Sequence, residues 1–272
     1  MVQVENRRRP GTPAWVGLMS HDPAAAQDFY GRLLGWDFEP GPAELSGSVS
    51  ATLRGLPVAG LGRIPADALP SMWTAYLAVD SADGTADDIR SNGGTVAVGP
   101  LQLGRMGRRA VAADPLGAAF GIWEAEEFLG SEAAGEPGTL AWCELLTGDA
   151  EVAGAFYRAV FGLEPERVQG ERESDRADGG RERADGGRED LVALRAGDRP
   201  VAWIRGVGDA AKAVGPRWLT VFRVADADRA ADLASEAGGQ VRLPPYDTRY
   251  GRMAGLEDPD GALFEVVGPL PM

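Results

Sequence analysis

Two carboxylates and a set of indoles are the side chains in this sequence best suited to chemistry. Glu144 stands two residues after Trp142 in the apolar run Leu140-Ala141-Trp142-Cys143-Glu144. Side chains alternate across a strand, so this indole and this carboxylate share a face. Glu265 is the acid in a second apolar run, Leu263-Phe264-Glu265-Val266-Val267. A carboxylate held against tryptophan in a dry space has its pKa raised and can act as a general acid or base. Tyr246 and Arg252 are further polar candidates. A structural ion pair of either carboxylate with Arg252 or Arg205 is the alternative. His21 is the single histidine and precedes Pro23 at a helix start, with no partner at a spacing useful for a nucleophilic triad.

The elements that must position these groups come from an internal repeat. Gly11-Thr12-Pro13-Ala14-Trp15, Phe29-Tyr30 and Leu34-Gly35-Trp36 return as Gly138-Thr139-Leu140-Ala141-Trp142, Phe156-Tyr157 and Phe161-Gly162-Leu163. A second series runs from Trp73 through Gly93-Gly94 and Gly107-Arg108 to Asp114-Pro115-Leu116-Gly117. It returns from Trp218 through Gly238-Gly239 and Gly251-Arg252 to Asp258-Pro259-Asp260-Gly261. Period-two apolar runs, capped helical stretches and glycine punctuation make each half-copy read as strand, helix and three strands. The fold class expected is therefore α+β: four βαβββ modules in two tandem domains. The divisions are an arm at 1–10, a first domain at 11–127 (modules 11–65 and 71–125), a linker at 128–137, and a second domain at 138–269 (modules 138–206 and 216–269). The Gly-Gly pairs follow helices and read as C-caps, not as a phosphate loop.

Between the two series the second copy is longer. Arg176–Glu182 is followed at once by an identical Arg183–Glu189, inside a polar tract over 166–190. So few apolar side chains cannot offset the entropy of ordering, and the tract reads as a mobile hairpin tip or surface loop.

Composition narrows the function classes. A net charge of -14 over 272 residues supplies no basic surface for a nucleic acid. One cysteine, Cys143, excludes an intrachain disulfide framework and a thiolate metal cluster, and it reads as a buried inert thiol. No run is long and apolar enough to span a bilayer, and no secretory leader is visible, so a cytoplasmic protein without membrane contact is expected. Arg7-Arg8-Arg9 reads as a solvated N-terminal arm.

Four such modules with F-Y, L-G and D-P-x-G landmarks resemble the vicinal oxygen chelate superfamily, which includes glyoxalase I, the bleomycin-resistance proteins and the extradiol dioxygenases. The tandem glyoxalase-like proteins of actinobacteria are similar in layout. The resemblance implies a curved mixed sheet around a cup in each domain, with His or Glu metal ligands at set cup-facing positions. Those positions fall here on Trp15, Trp73, Trp142 and Trp218, and on Gly121 and Glu265. Indole offers no lone pair for a divalent ion, so no cofactor is expected and a divalent metal is disfavoured. If these positions face the cups, each cup receives two tryptophans, and Trp203 adds a third in the second domain. Such walls either hold a flat aromatic molecule or simply plug a cup that lost its metal.

Both acids belong to the second copy alone, since Gly17 and Gly121 stand at their counterparts. The expected function is a metal-independent binder of an aromatic or polyketide-like compound, in resistance by sequestration or in natural-product metabolism. The alternative is a biosynthetic or detoxifying enzyme using Glu144 or Glu265 on a hydroxylated aromatic or carbonyl substrate. A divalent-metal lyase or dioxygenase is a third reading. The partner expected is a small aromatic ligand; a monomer and a homodimer are both compatible with the sequence.

Overall fold

Among the described residues, twenty helices and strands follow the repeat, five to a module. The computed structural model describes residues 2–3, 7–42, 44–45, 47–64, 69–168, 190–207 and 215–271; the repeated tract at 176–189 lies outside them. The first domain carries β2 (Pro13–Ser20), α1 (Pro23–Leu34), β3 (Asp37–Pro40), β4 (Val49–Leu53) and β5 (Leu56–Arg63). Its second module is β6 (Met72–Val79), α2 (Ala82–Ser91), β7 (Thr95–Leu103), β8 (Gly107–Ala113) and β9 (Ala119–Ala125). The second domain carries β11 (Leu140–Thr147), α3 (Ala150–Phe161), β12 (Glu164–Arg167), β13 (Asp190–Ala196) and β14 (Arg199–Gly206). It closes with β15 (Arg217–Arg223), α4 (Ala227–Glu236), β16 (Gln240–Thr248), β17 (Gly251–Glu257) and β18 (Leu263–Gly268). Two-residue strands β1 (Val2–Gln3) and β10 (Ala133–Ala134) pair with each other.

The helix boundaries follow from local chemistry. Asp22 accepts hydrogen bonds from the Ala24 and Ala25 amides and Pro23 opens α1, while Gly35 ends it in the left-handed region at φ 72°. Asp149 and Gly162 repeat the device on α3.

The two eight-stranded sheets have the orders β3-β4-β5-β2-β6-β9-β8-β7 and β12-β13-β14-β11-β15-β18-β17-β16. Antiparallel pairs β2–β6 and β11–β15 form the centre of each, so modules pair within a domain, a point the hydrophobic pattern leaves open. One face of each sheet packs against helices. Val16, Leu18, Cys143 and Leu145 point to that side and are fully buried, and burial pushes the Cys143 thiol up to about 12.

The helix-covered faces of the two domains meet in one aromatic core. Phe29 of α1 packs edge-on against Phe264 of the other domain at 6.1 Å, and Phe156 of α3 against Phe120 at 6.2 Å. Gly239 and Gly94, the second glycine of each pair, leave room for those phenyl rings: a Cβ would stand 2.8 Å from Phe29 and 3.1 Å from Phe156. The C-cap reading covers only Gly93 and Gly238, at φ 84° and 86°.

The N-terminal arginines reach backbone carbonyls, Arg7 and Arg9 from exposed positions and Arg8 from a half-buried one. Arg8 donates to the carbonyls of Leu129 at 2.9 Å and Ser131 at 2.7 Å, Arg9 donates to Ala196, and Arg7 to Ala125. The guanidinium groups thus bond carbonyls of β9, of the segment after it and of β13, while Arg7 and Arg9 still face solvent.

Candidate functional site

The other sheet face forms the cup, and alternation along the strands decides who enters it. On β11, Trp142 and Glu144 lie on this face while Cys143 and Leu145 lie behind it. Trp203 pairs with Glu144 across the parallel β11–β14 ladder, and Arg205 stands two residues on. Glu265 of β18 pairs with Val221 and Gly255, and its neighbour on the same face is Val267. Val221, Met253 and Val267 form the apolar floor, with Trp142 and Tyr246 packed against it.

The charged groups converge there. Arg205 grips Glu144 through both carboxylate oxygens, Nε at 2.5 Å and Nη2 at 3.2 Å. Burial disfavours the Arg205 cation, but Glu144, Glu265 and Tyr246 around it outweigh that and raise its pKa. Glu265 is 5% exposed, and its Oε2 has no hydrogen-bond partner among the described residues. Burial, then the Glu144 carboxylate, push the Glu265 carboxyl up to about 7, with Arg205 acting in the opposite sense. Burial and the Glu265 charge likewise push the Tyr246 hydroxyl up to about 12. At neutral pH the site thus holds a fixed ion pair, a phenol and a carboxyl near its titration midpoint.

The mouth is aromatic. Tyr250, in the turn between β16 and β17, lies 5.7 Å from Trp142 and 5.4 Å from Trp203, tilted about equally to both. The Arg249 guanidinium sits 4.7 Å over the Tyr250 ring. Sequence reasoning missed Tyr250; an aromatic residue at a hairpin tip just before Gly251-Arg252 was the available signal. A groove of about 430 Å³ runs along β12–β14 between Glu166, Arg167, Val168, Ala193, Arg195 and Pro200, and reaches the cup at Trp203. That volume suits a small organic molecule.

Three expected ligand residues lie elsewhere. Trp73 and Trp218 are on the helix-covered face, where they bond Tyr30 at 2.8 Å and Tyr157 at 2.9 Å. The register of β2–β6 and β11–β15 puts Tyr76 and Val221, not the tryptophans, on the cup side. Arg252 also points away: it bonds Asp228 in the first turn of α4 and Asp247 of β16. Arg108 does the same to Asp83 of α2, so the Gly-Arg landmark ties a hairpin to a helix start.

The first cup is built differently. The register equivalents of Glu144, Trp203, Arg205 and Glu265 are Gly17, Gly60, Gly62 and Gly121. Over these glycines lie the Trp15 ring, the Met19 thioether and the Tyr76 ring; a Cβ at Gly121 would collide with Tyr76. Phe128 closes the cup edge-on to Trp15 at 4.9 Å. Trp15 therefore faces its cup as expected, in a space that side chains of its own domain fill. His21 pairs with Asp260 across the domain junction, at 3.0 Å, and takes no part in either cup.

Known proteins share this architecture. The family model "Glyoxalase/Bleomycin resistance protein/Dioxygenase superfamily" matches residues 139–266. The glyoxylase-like CFP32 of Mycobacterium tuberculosis (strain CDC 1551 / Oshkosh) is 38% identical over 269 residues, covering 97% of each chain. The anthracycline biosynthesis protein DauV of Streptomyces sp. (strain C5) is 38% identical over 279 residues, covering 96% of this chain and 94% of its own. Among solved structures, the Mn(II)-bound glyoxalase from Novosphingobium aromaticivorans superposes with a TM-score of 0.64 at 17% identity, over 97% of this chain and 83% of its own. Among the described residues no helix is long and apolar enough to cross a membrane.

Proposed function

The chain belongs to the glyoxalase/bleomycin resistance/dioxygenase superfamily, and from that premise we propose that its second domain binds one planar aromatic, polyketide-like molecule without a divalent metal. The observation that carries this reading is the pair Trp142 and Trp203, both packed against Tyr250 in the cup that holds the Glu144–Arg205 ion pair and the buried Glu265. Two indoles that both pack against the exposed Tyr250 ring offer a flat molecule the same kind of contact. The relatives named for anthracycline biosynthesis support the ligand class, since anthracyclines are planar aromatic polyketides. Only one site per chain is expected, because Trp15, Met19 and Tyr76 fill the first cup.

The family's metal does not fit the residues present. A divalent ion needs three or four converging oxygen or nitrogen donors. The second cup supplies two carboxylates, and the guanidinium of Arg205 already bridges to one of them. An ion between Glu144 and Glu265 would lie against that cation. The chain's single histidine is bonded to Asp260 outside the cup.

Titration of the protein with quinizarin, a planar hydroxyquinone, tests the reading through quenching of tryptophan fluorescence. Saturation at one molecule per chain, unchanged by EDTA, is expected. Binding that vanishes with EDTA and returns with a divalent salt would overturn it. A second reading, an enzyme that moves a proton on a bound hydroxylated aromatic or carbonyl compound, is favoured by the Glu265 carboxyl standing near 7. Conversion of the bound molecule, lost in Glu265→Gln, would establish it.

A further inference from the structure

We propose that Glu265 recognises its ligand as an acid, donating a hydrogen bond from its carboxyl group to a carbonyl oxygen of the planar aromatic molecule. This rests on the aromatic cup of the second domain described above. Glu265 is nearly inaccessible, yet Oε2 has no hydrogen-bond partner among the described residues. A buried polar atom left unpaired is costly, so a ligand that supplies the partner gains accordingly.

The surroundings decide which partner. From β11, Glu144 faces Glu265; from β14, Arg205; from β16, Tyr246. On β15 the same face carries Leu219, Val221 and, further along, Arg223, and on β17 it carries Met253. Arg205 is committed to Glu144 by two hydrogen bonds and also lies against the Tyr246 hydroxyl. An ionised Glu265 would add a second carboxylate near Glu144 in an apolar pocket where Arg205 is already paired to the first. Desolvation and that like charge both favour the neutral acid, the direction found for its titration. A neutral carboxyl and a protonated phenol are both hydrogen-bond donors. The floor thus matches an acceptor, and a carbonyl oxygen fixed on a flat ring is the acceptor that two neighbouring donors read best.

Binding should then weaken as Glu265 loses its proton. With quinizarin as probe, Kd for the wild-type protein is expected to be flat near pH 5.5 and to rise about tenfold per pH unit above 7. Glu265→Gln keeps a donor without a titrating proton, so its Kd should match the low-pH value across the range. Glu265→Leu keeps the volume without the donor and should bind weakly throughout. In Glu144→Gln, Arg205 is released toward Glu265, and the pH step should move to lower pH. The carbonyl-free 2-hydroxyanthracene should bind with no step attributable to Glu265.

Two results would overturn the proposal alone: the wild-type step persisting in Glu265→Gln, or Glu265→Leu binding as tightly as wild type. Failure of quinizarin to quench the wild-type indoles at any pH would instead overturn the cup itself, and the proposal with it.

Discussion

The hydroxyl of Tyr30 donates to Asp258 Oδ2 at 3.1 Å across the domain junction, and it accepts from Trp73 Nε1 at 2.8 Å. Tyr157, Asp114 and Trp218 repeat the arrangement at the other end of the junction, at 3.3 and 2.9 Å. The second oxygens of Asp258 and Asp114 accept backbone amides of their own turns. Each copy's Phe-Tyr landmark is therefore read by the other copy's Asp-Pro turn. Burial and the facing carboxylate push both phenols well up, so they remain donors.

Tyr30→Phe should destabilise the protein by about 2–3 kcal/mol, since it strands a buried indole N–H and a buried carboxylate oxygen. Urea midpoints measure it. Tyr157→Phe should cost a similar amount, and the double variant should show a nearly additive loss, because the two triads share no partner.

The indoles should separate into two classes. Trp142→Ala and Trp203→Ala are expected to weaken quinizarin binding about tenfold or more, with modest effects on stability. Trp73→Phe and Trp218→Phe should leave Kd within about twofold while lowering the urea midpoint, because their N–H groups bond the junction tyrosines. Equal binding losses in all four would show that the faces are assigned wrongly.

Arg205→Met should cost about 3 kcal/mol, the typical loss when one partner of a buried ion pair is removed. The sign with pH follows from the carboxylates. Without the cation both acids are harder to ionise in the folded chain than in the unfolded one, so the loss should be smaller at pH 5 than at pH 8. A loss of equal size at both values would contradict the convergence of the three charges.

Glu265 itself makes a stability prediction. Its folded value near 7 lies above the ordinary 4.5, so its contribution is favourable below 4.5 and is lost as pH rises through 7. Glu265→Gln should match wild type near pH 4.5 and exceed it at pH 8 by roughly 2–3 kcal/mol. Urea unfolding at the two pH values reads the difference.

The repeat, the strand–helix–three-strand order and the confinement of both acids to the second copy were all legible in the sequence. They depend on local spacing, capping and alternation, which a linear chain displays directly. The candidate site was legible in part. Trp142, Glu144, Trp203, Tyr246 and Glu265 do converge, because residues of one alternation class on adjacent strands must share a face. Trp73, Trp218 and Arg252 do not: Trp73 stands opposite Leu18 and Trp218 opposite Leu145, both on the helix-covered face, and Arg252 turns to Asp228 and Asp247. A single-residue slip moves a side chain to the opposite face.

Only the tertiary structure decided which modules pair, that each landmark is completed by the other copy, and that four glycines under Trp15, Met19 and Tyr76 close the first cup. Those facts rest on contacts between residues far apart in sequence, where packing volume and hydrogen-bond satisfaction, rather than local periodicity, select the arrangement.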